Sequence, residues 1–274
     1  MIRRLFSTMV VITGLLATTQ AQAQSEFFQG KTIRIIVGYS PGGGYDALAR
    51  MLSRHMGKYI PGHPAIMVEN MAGAGSLLAA NHVYKIAKAD GLTMGHFSGG
   101  FAYSQATGQP GIELDMKKFV YVGAMARDES AIALTKASGI TSMERWFAAK
   151  SPAKMGTTGP GAFGTDNVLK IAKAALNLPM QIIAGYKGTA DMRLAAESGE
   201  IDGTTWGWDT MRSGWQKSLE SGVVVVVLQT VPKAFPDLAK VPLAIDLAKS
   251  AEAKQLIEYG IHFPSKITKT LALP

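Results

Sequence analysis

Residues Gly38-Tyr39-Ser40-Pro41-Gly42 have the Gly-x-Ser-x-Gly spacing of a hydrolase nucleophile, and Gly43, Gly44, Tyr45 and Asp46 follow at once. In a nucleophile elbow, the backbone N–H of the residue after the serine donates to the oxyanion. Here that residue is Pro41, which has no N–H. The only strand-like run between the leader and the motif leads straight into it, so no upstream element supplies a second oxyanion donor. The chemistry left to this stretch is that of bare backbone amides at a helix start. A second loop, Gly159-Pro160-Gly161-Ala162-Phe163-Gly164, formally matches the dinucleotide pattern Gly-x-Gly-x-x-Gly. That pattern needs a ribose-binding acid about 20 residues on, at the end of the next strand. The next strand-like run ends at Gly185-Tyr186-Lys187, and Asp191 falls inside the following helical segment. No Walker lysine follows any glycine loop. The five histidines (His55, His63, His82, His96 and His262) show no ligand spacing, and cysteine is absent, so neither a metal nor a cofactor is expected.

The elements that position these loops alternate. Strand-like runs cover 32–37, 65–69, 92–97, 119–126, 130–134, 154–157, 181–185, 202–208, 223–229 and 269–273. Helix-like runs cover 45–57, 76–87, 142–149, 164–176, 189–198, 209–221 and 246–259, with a loop around 108–111. Such alternation predicts an α/β fold with largely parallel sheets. Three glycine-rich stretches, 38–46, 70–76 and 157–164, each follow a strand and precede a helix. Ligands of open α/β sheets collect at that end, where helix N-termini present unpaired N–H groups. Two such loops lie early and one late, which predicts two lobes facing one cleft. Trp206 and Trp208 share one face of a strand, either as core or as cleft lining. Asp209 after them reads as a ligand contact or an N-cap.

The chain of 274 residues opens with Arg3, Arg4 and an apolar run to about Leu16, then Ala21-Gln22-Ala23. That is a secretory leader, expected over residues 1–23, and too short for a transmembrane span. Its removal takes two of the 28 basic residues and none of the 20 acidic ones, leaving a net charge of +6. The basic residues are scattered, without the clustered face of a nucleic-acid binder, so no nucleic-acid partner is expected. An exported chain without disulfides stands on its core alone, and the expected location is the periplasm.

Pro41-Gly42-Gly43-Gly44-Tyr45-Asp46, Glu69-Asn70-Met71-Ala72-Gly73-Ala74-Gly75-Ser76 and Ala89-Asp90-Gly91-Leu92-Thr93 resemble the solute-binding receptors of tripartite tricarboxylate transporters, the Bug family. Gly156-Thr157-Thr158-Gly159-Pro160-Gly161, Gly185-Tyr186-Lys187-Gly188-Thr189, the run 197–203, Pro236-Asp237-Leu238 and Val241-Pro242 continue the likeness in order. The resemblance implies a two-lobed type 2 periplasmic binding protein, each lobe a sheet flanked by helices, with the ligand cleft between them. Lobe 1 would comprise 24–125 with a returning strand at 266–274, and lobe 2 would comprise 126–265. It implies a non-enzymatic, monomeric receptor that closes by a hinge on a di-, tri- or aromatic carboxylate and delivers it to the large and small subunits of a membrane permease. Carried onto this sequence, it points to Tyr39, Ser40, Gly43, Asp46, Gly75, Ser76, Thr157, Thr158 and Gly161, and Ser98, Phe163, Tyr186, Trp208 and Asp209 complete the candidate ligand-binding set. Two alternatives remain, an exported enzyme acting on a carboxylate in the same cleft and a ligand-sensing partner of a two-component system. Ala162 and Thr165 stand where the family often has serine and histidine, and family members continue past Leu273-Pro274, so the chain resembles a C-terminally truncated member.

Overall fold

The computed structural model describes residues 27–109 and 111–274, and the leader expected over 1–23 lies outside them. Among the described residues, ten strands form two five-stranded sheets. The first sheet uses β1 (Thr32–Val37), β2 (Ala65–Asn70), β3 (Thr93–His96), β4 (Val120–Ala126) and β10 (Lys269–Leu273). The second uses β5 (Ser130–Thr135), β6 (Ala153–Thr157), β7 (Met180–Ala184), β8 (Gly203–Gly207) and β9 (Val224–Gln229). Their orders, β2-β1-β3-β10-β4 and β7-β6-β8-β5-β9, follow one plan. Three neighbouring strands run parallel, and the fourth is reversed: β10 pairs antiparallel with β3 and β4, and β5 with β8 and β9. The sheets are therefore mixed rather than largely parallel. The reversed strand in each belongs to a segment crossing over from the other sheet, whose direction periodicity does not reveal.

The central strands are covered on both faces, which is why they read as nearly continuous apolar runs, while the edge strand β4 is largely exposed. On β1, Ile33, Ile35 and Val37 pack against Ala49 of helix α1 (Gly44–His55). Ile36 points the other way, onto Ala79, Ala80 and Val83 of α2 (Leu77–Lys85). In the second sheet, Ile132 and Leu134 of β5 meet Leu169 and Ala172 of α5 (Val168–Leu176), following α4 (Met143–Phe147). Ala131 and Ala133 face Met192 and Ala195 of α6 (Thr189–Glu197).

Several helices are shorter than their periodicity predicts, each for a local reason. The run from 76 begins at Leu77, because Ala74, Gly75 and Ser76 are all left-handed (φ 47°, 63° and 78°). The run 209–221 starts one residue early, at Trp208, and breaks into α7 (Trp208–Gly214) and α8 (Gln216–Glu220). At the break, Trp215 is buried with its ring 4.8 Å from that of Trp206. The run 246–259 splits into Ala244–Leu247 and Ala251–Ile257, the second capped by the Ser250 hydroxyl accepting from Ala253 N–H. The six-residue helix α3 (Phe101–Ala106) carries too short a pattern to be read from sequence.

The chain crosses between sheets through Arg127-Asp128-Glu129, and again through the segment 258–268 that leads into β10. The crossings touch, with Asp128 N–H donating to the Ser265 carbonyl at 3.0 Å.

Candidate ligand-binding site

A cavity of about 30 Å³, room for a few solvent molecules, lies where loops of both sheets meet. The first sheet contributes Tyr39, Gly43, Gly44, Tyr45 and Lys269. The second contributes Thr158, Gly164, Thr165, Thr189, Trp206, Gly207 and Thr210, and Asp128 comes from the crossing. Several helices start here. Gly43 is the N-cap of α1, Gly188 of α6 and Gly207 of α7, and none has a side-chain cap. The first N–H groups of a helix have no intrahelical partner, and the dipole end is positive. Their convergence gives the cavity an anion-attracting wall.

The glycines do more than bare their amides. A Cβ on Gly43 would lie 2.8 Å from Thr189 Oγ1, and one on Gly44 would lie 2.5 Å from Thr210 Oγ1. Thr189 and Thr210 belong to the second sheet's helices, so these two glycines let the halves close on each other. Gly42 is left-handed (φ 82°), which bends the loop into α1. Direct bonds join the halves as well. Ser40 N–H donates to the Lys187 carbonyl at 3.0 Å, and Gly75 N–H to the Thr158 carbonyl at 3.1 Å. Ser40 Oγ donates to Asp191 Oδ2 at 2.5 Å.

Of the candidate residues, Tyr39, Gly43 and Thr158 line the cavity. The others stand around it or away from it. Asp46 braces the first loop, its buried carboxylate accepting from Gly42 N–H, Arg50 Nε and Asn70 Nδ2. Burial pushes that carboxyl up, but these bonds together hold it below the usual range. Ser76 Oγ accepts from Ser98 N–H, and Ser98 Oγ accepts from Phe163 N–H while donating to the Gly161 carbonyl. Gly75, Ser76, Ser98 and Gly161 thus form a seam between the halves, and Phe163 sits in the second sheet's core. Thr157 donates to Asp166 at 3.5 Å. Tyr186 donates to Glu200 at the surface, and burial with that bond raises its hydroxyl to about 12. Trp208 opens α7 and donates to Asp237. Asp209 is not the N-cap, a place taken by Gly207. It lies in the first turn, fully exposed and 3.6 Å from Arg212.

Sequence reasoning missed the two charged residues of the cavity wall. Asp128 and Lys269 are 5% and 6% exposed, and their charged atoms are 3.5 Å apart. Asp128 occupies a slot made by glycines: a Cβ on Gly164 would lie 2.2 Å from Oδ2, and one on Gly207 would lie 2.7 Å from Oδ1. The available signals were an acid between two extended runs and a lysine heading an otherwise uncharged strand. Behind Lys269, buried His96 holds the Thr270 carbonyl through Nδ1 at 2.9 Å, and its Nε2 has no partner. Burial lowers its pKa to about 4, the Thr270 bond opposes that, and Lys269 adds to it. Burial also raises the Tyr39 hydroxyl to about 12, with Asp128 contributing.

The chain is 29% identical over 190 residues to the UPF0065 protein in the gbd 5′ region of Cupriavidus necator. That match takes in 68% of this chain and 56% of the relative, so the chain spans about half the length of the known protein it matches. No family model matches. The solved structure of the periplasmic binding protein BugD superposes with a TM-score of 0.70 at 19% identity, covering 90% of this chain and 77% of BugD. The chain has the Bug fold. MatC from Rhodopseudomonas palustris, solved with bound malate, gives the same TM-score of 0.70 at 20% identity, covering 90% of this chain and 79% of MatC. The resemblance to the Bug receptors read from the motifs stands, as does the architecture of two helix-flanked sheets. Among the described residues, no helix is long and apolar enough to cross a membrane.

Proposed function

We propose that this chain is a periplasmic solute-binding receptor that captures a small carboxylate between two lobes and delivers it to a tripartite tricarboxylate-type permease. The observation that carries this reading is the convergence of uncapped helix starts from both sheets on one cavity that also holds a buried lysine. Unpaired N–H groups, positive dipole ends and an ammonium suit a carboxylate. The lobes are 24–125 with the returning strand 266–274, and 126–265, hinged at the two crossings. The present cavity is too small for a dicarboxylate, so binding requires the lobes to part and close again, as hinged receptors do. Tyr39, Gly43 and Thr158 contact the ligand, while Asp46, Ser76 and Ser98 hold the loops that do so. In this reading the ligand leaves unchanged, and the serine of the first loop, without the oxyanion donor that acyl transfer requires, argues against a serine-nucleophile enzyme.

A thermal-shift screen of the exported chain against di-, tri- and aromatic carboxylates tests this reading. A ligand at 100 times its Kd adds about 2.7 kcal/mol, which shifts the melting point by several degrees. A cooperative melt that no carboxylate shifts refutes it. Recovery of a chemically altered ligand after incubation overturns the non-enzymatic part alone.

A further inference from the structure

The cavity wall carries one positive and one negative side chain, paired with each other and both lining the cavity. Among the described residues, no hydrogen bond from Lys269 Nζ is found, and it lies 3.5 Å from Asp128 Oδ1 as an ion pair. Among the described residues, no N–H or O–H group donates a hydrogen bond to the Asp128 carboxylate, whose charged partner is Lys269. Both side chains are more than nine-tenths buried. Buried charges are ordinarily covered by several hydrogen bonds each, because an uncovered one is expensive. Two adjacent buried charges with free hydrogen-bonding capacity, both lining the one cavity at the lobe junction, describe half of a recognition site. The helix starts and Lys269 attract a ligand carboxylate. Asp128 repels a second anionic group placed beside it and accepts hydrogen bonds from a cationic one.

Resting on the receptor reading above, we infer that the ligand bears a protonated amine next to its carboxylate, as an α-amino acid does, with the amine on Asp128 and the carboxylate on Lys269. The four charges then alternate in sign around the cavity, so each faces two of opposite sign. A plain hydroxy acid in the same pose offers Asp128 one neutral donor in place of an ammonium. A dicarboxylate that puts its second carboxylate there meets like charge at short range, which costs several orders of magnitude in selectivity at desolvated sites. Gly164 and Gly207 are the residues that make the arrangement possible, since a side chain at either would displace the Asp128 carboxylate.

The test is isothermal titration of the full exported chain with two matched pairs, L-alanine against L-lactate and L-aspartate against L-malate, each pair differing in amine versus hydroxyl. The expected result is that each amine binds at least about tenfold more tightly than its hydroxyl counterpart, the scale of one charge-assisted hydrogen bond. In Asp128→Asn, whose side chain keeps its shape, the ratio falls towards one, and Lys269→Met weakens both members of a pair alike. A purely structural ion pair would change the affinity for amine and hydroxyl ligands equally. Should Asp128→Asn not fold, the ratio in the unaltered chain decides alone. Tighter binding of L-lactate or L-malate than of its amine partner overturns the inference and leaves the carboxylate receptor standing. So does binding of an amine-free carboxylate when none of the four binds. Failure of every carboxylate to bind overturns both.

Discussion

His96 is the buried base whose titration the fold resists, and acid should expose it. Its Nδ1 is committed to the Thr270 carbonyl, its Nε2 has no partner, its ring lies 4.6 Å from that of Tyr45, and the Lys269 ammonium is near. A second proton would place an uncovered charge beside an existing one. In the folded chain its pKa is about 4, against 6.5 for a free histidine. The folded value is the lower, so between pH 6.5 and 4 the unfolded chain binds the proton first, and stability falls as pH falls through that window. A gap of about 2.5 at 1.36 kcal/mol per pH unit gives a loss of about 3 kcal/mol, complete near pH 4 and absent above pH 7. Carboxylates titrate in the same range, so the measurement is a difference. Urea unfolding of the native chain and of His96→Gln should be followed from pH 7.5 to 4.5. The native chain should lose about 2–3 kcal/mol more than the variant over that span. Parallel curves would refute the reasoning, because they would mean that His96 takes up its proton equally well in both states.

Asp46→Ala leaves Gly42 N–H without its acceptor and Asn70 with the Tyr39 carbonyl alone, and should cost about 1–3 kcal/mol in urea unfolding, the scale of one orphaned group. Unchanged stability with lost binding would instead make Asp46 a ligand contact. Gly44→Ala improves an α-helix start but sets a methyl against Thr210 Oγ1. It should leave unfolding free energy within about 1 kcal/mol of native while weakening ligand affinity at least about tenfold, partly restored by Thr210→Ala. Trp146, fully buried and donating to the Pro179 carbonyl, should cost about 3–5 kcal/mol as Trp146→Ala in the same unfolding assay.

The sequence carried the strands well, because apolar runs buried on both faces, such as Ile33 to Val37 and Ala131 to Leu134, have few other uses. It carried the glycine loops too, since a left-handed Gly42 or a close approach at Gly43 leaves a residue type behind. It did not carry strand direction, because side-chain alternation is the same for β5 and β10 in either sense. It did not carry Ser76 as a left-handed residue, where a β-carbon is tolerated only because the Ser98 N–H bond and the neighbouring glycines fix the turn. Candidate loops were legible and candidate contacts were less so. A loop that lines a cavity also needs residues to brace it, and Asp46 and Ser98 have the same polar character as residues that would touch a ligand. Thr189 opens α6 and Thr210 lies in the first turn of α7, both in the opposite half, and their place at the cavity depends on closure, which no local pattern encodes.

The position of the two buried charges follows from the topology. Parallel strands end at the cavity, so a reversed strand in the same sheet must begin there. The start of β5 pairs Ser130 with Gly207, the last residue of β8. Lys269, the first residue of β10, bridges Ser98 just beyond the end of β3. Asp128 and Lys269 therefore sit where each crossing enters its reversed strand, on the segments that bend in the proposed lobe opening. The proposed ligand contacts and the proposed hinge thus fall on the same residues. A ligand that covers both charges favours the closed arrangement that brings them together, and one that covers neither leaves two buried ions drawing the lobes back towards water. Closure should thus follow ligand chemistry more than ligand size. Small-angle scattering with saturating L-alanine and L-lactate would show it, as a smaller radius for the amine at equal occupancy. Equal radii at equal occupancy would break the link between the charge pair and the hinge.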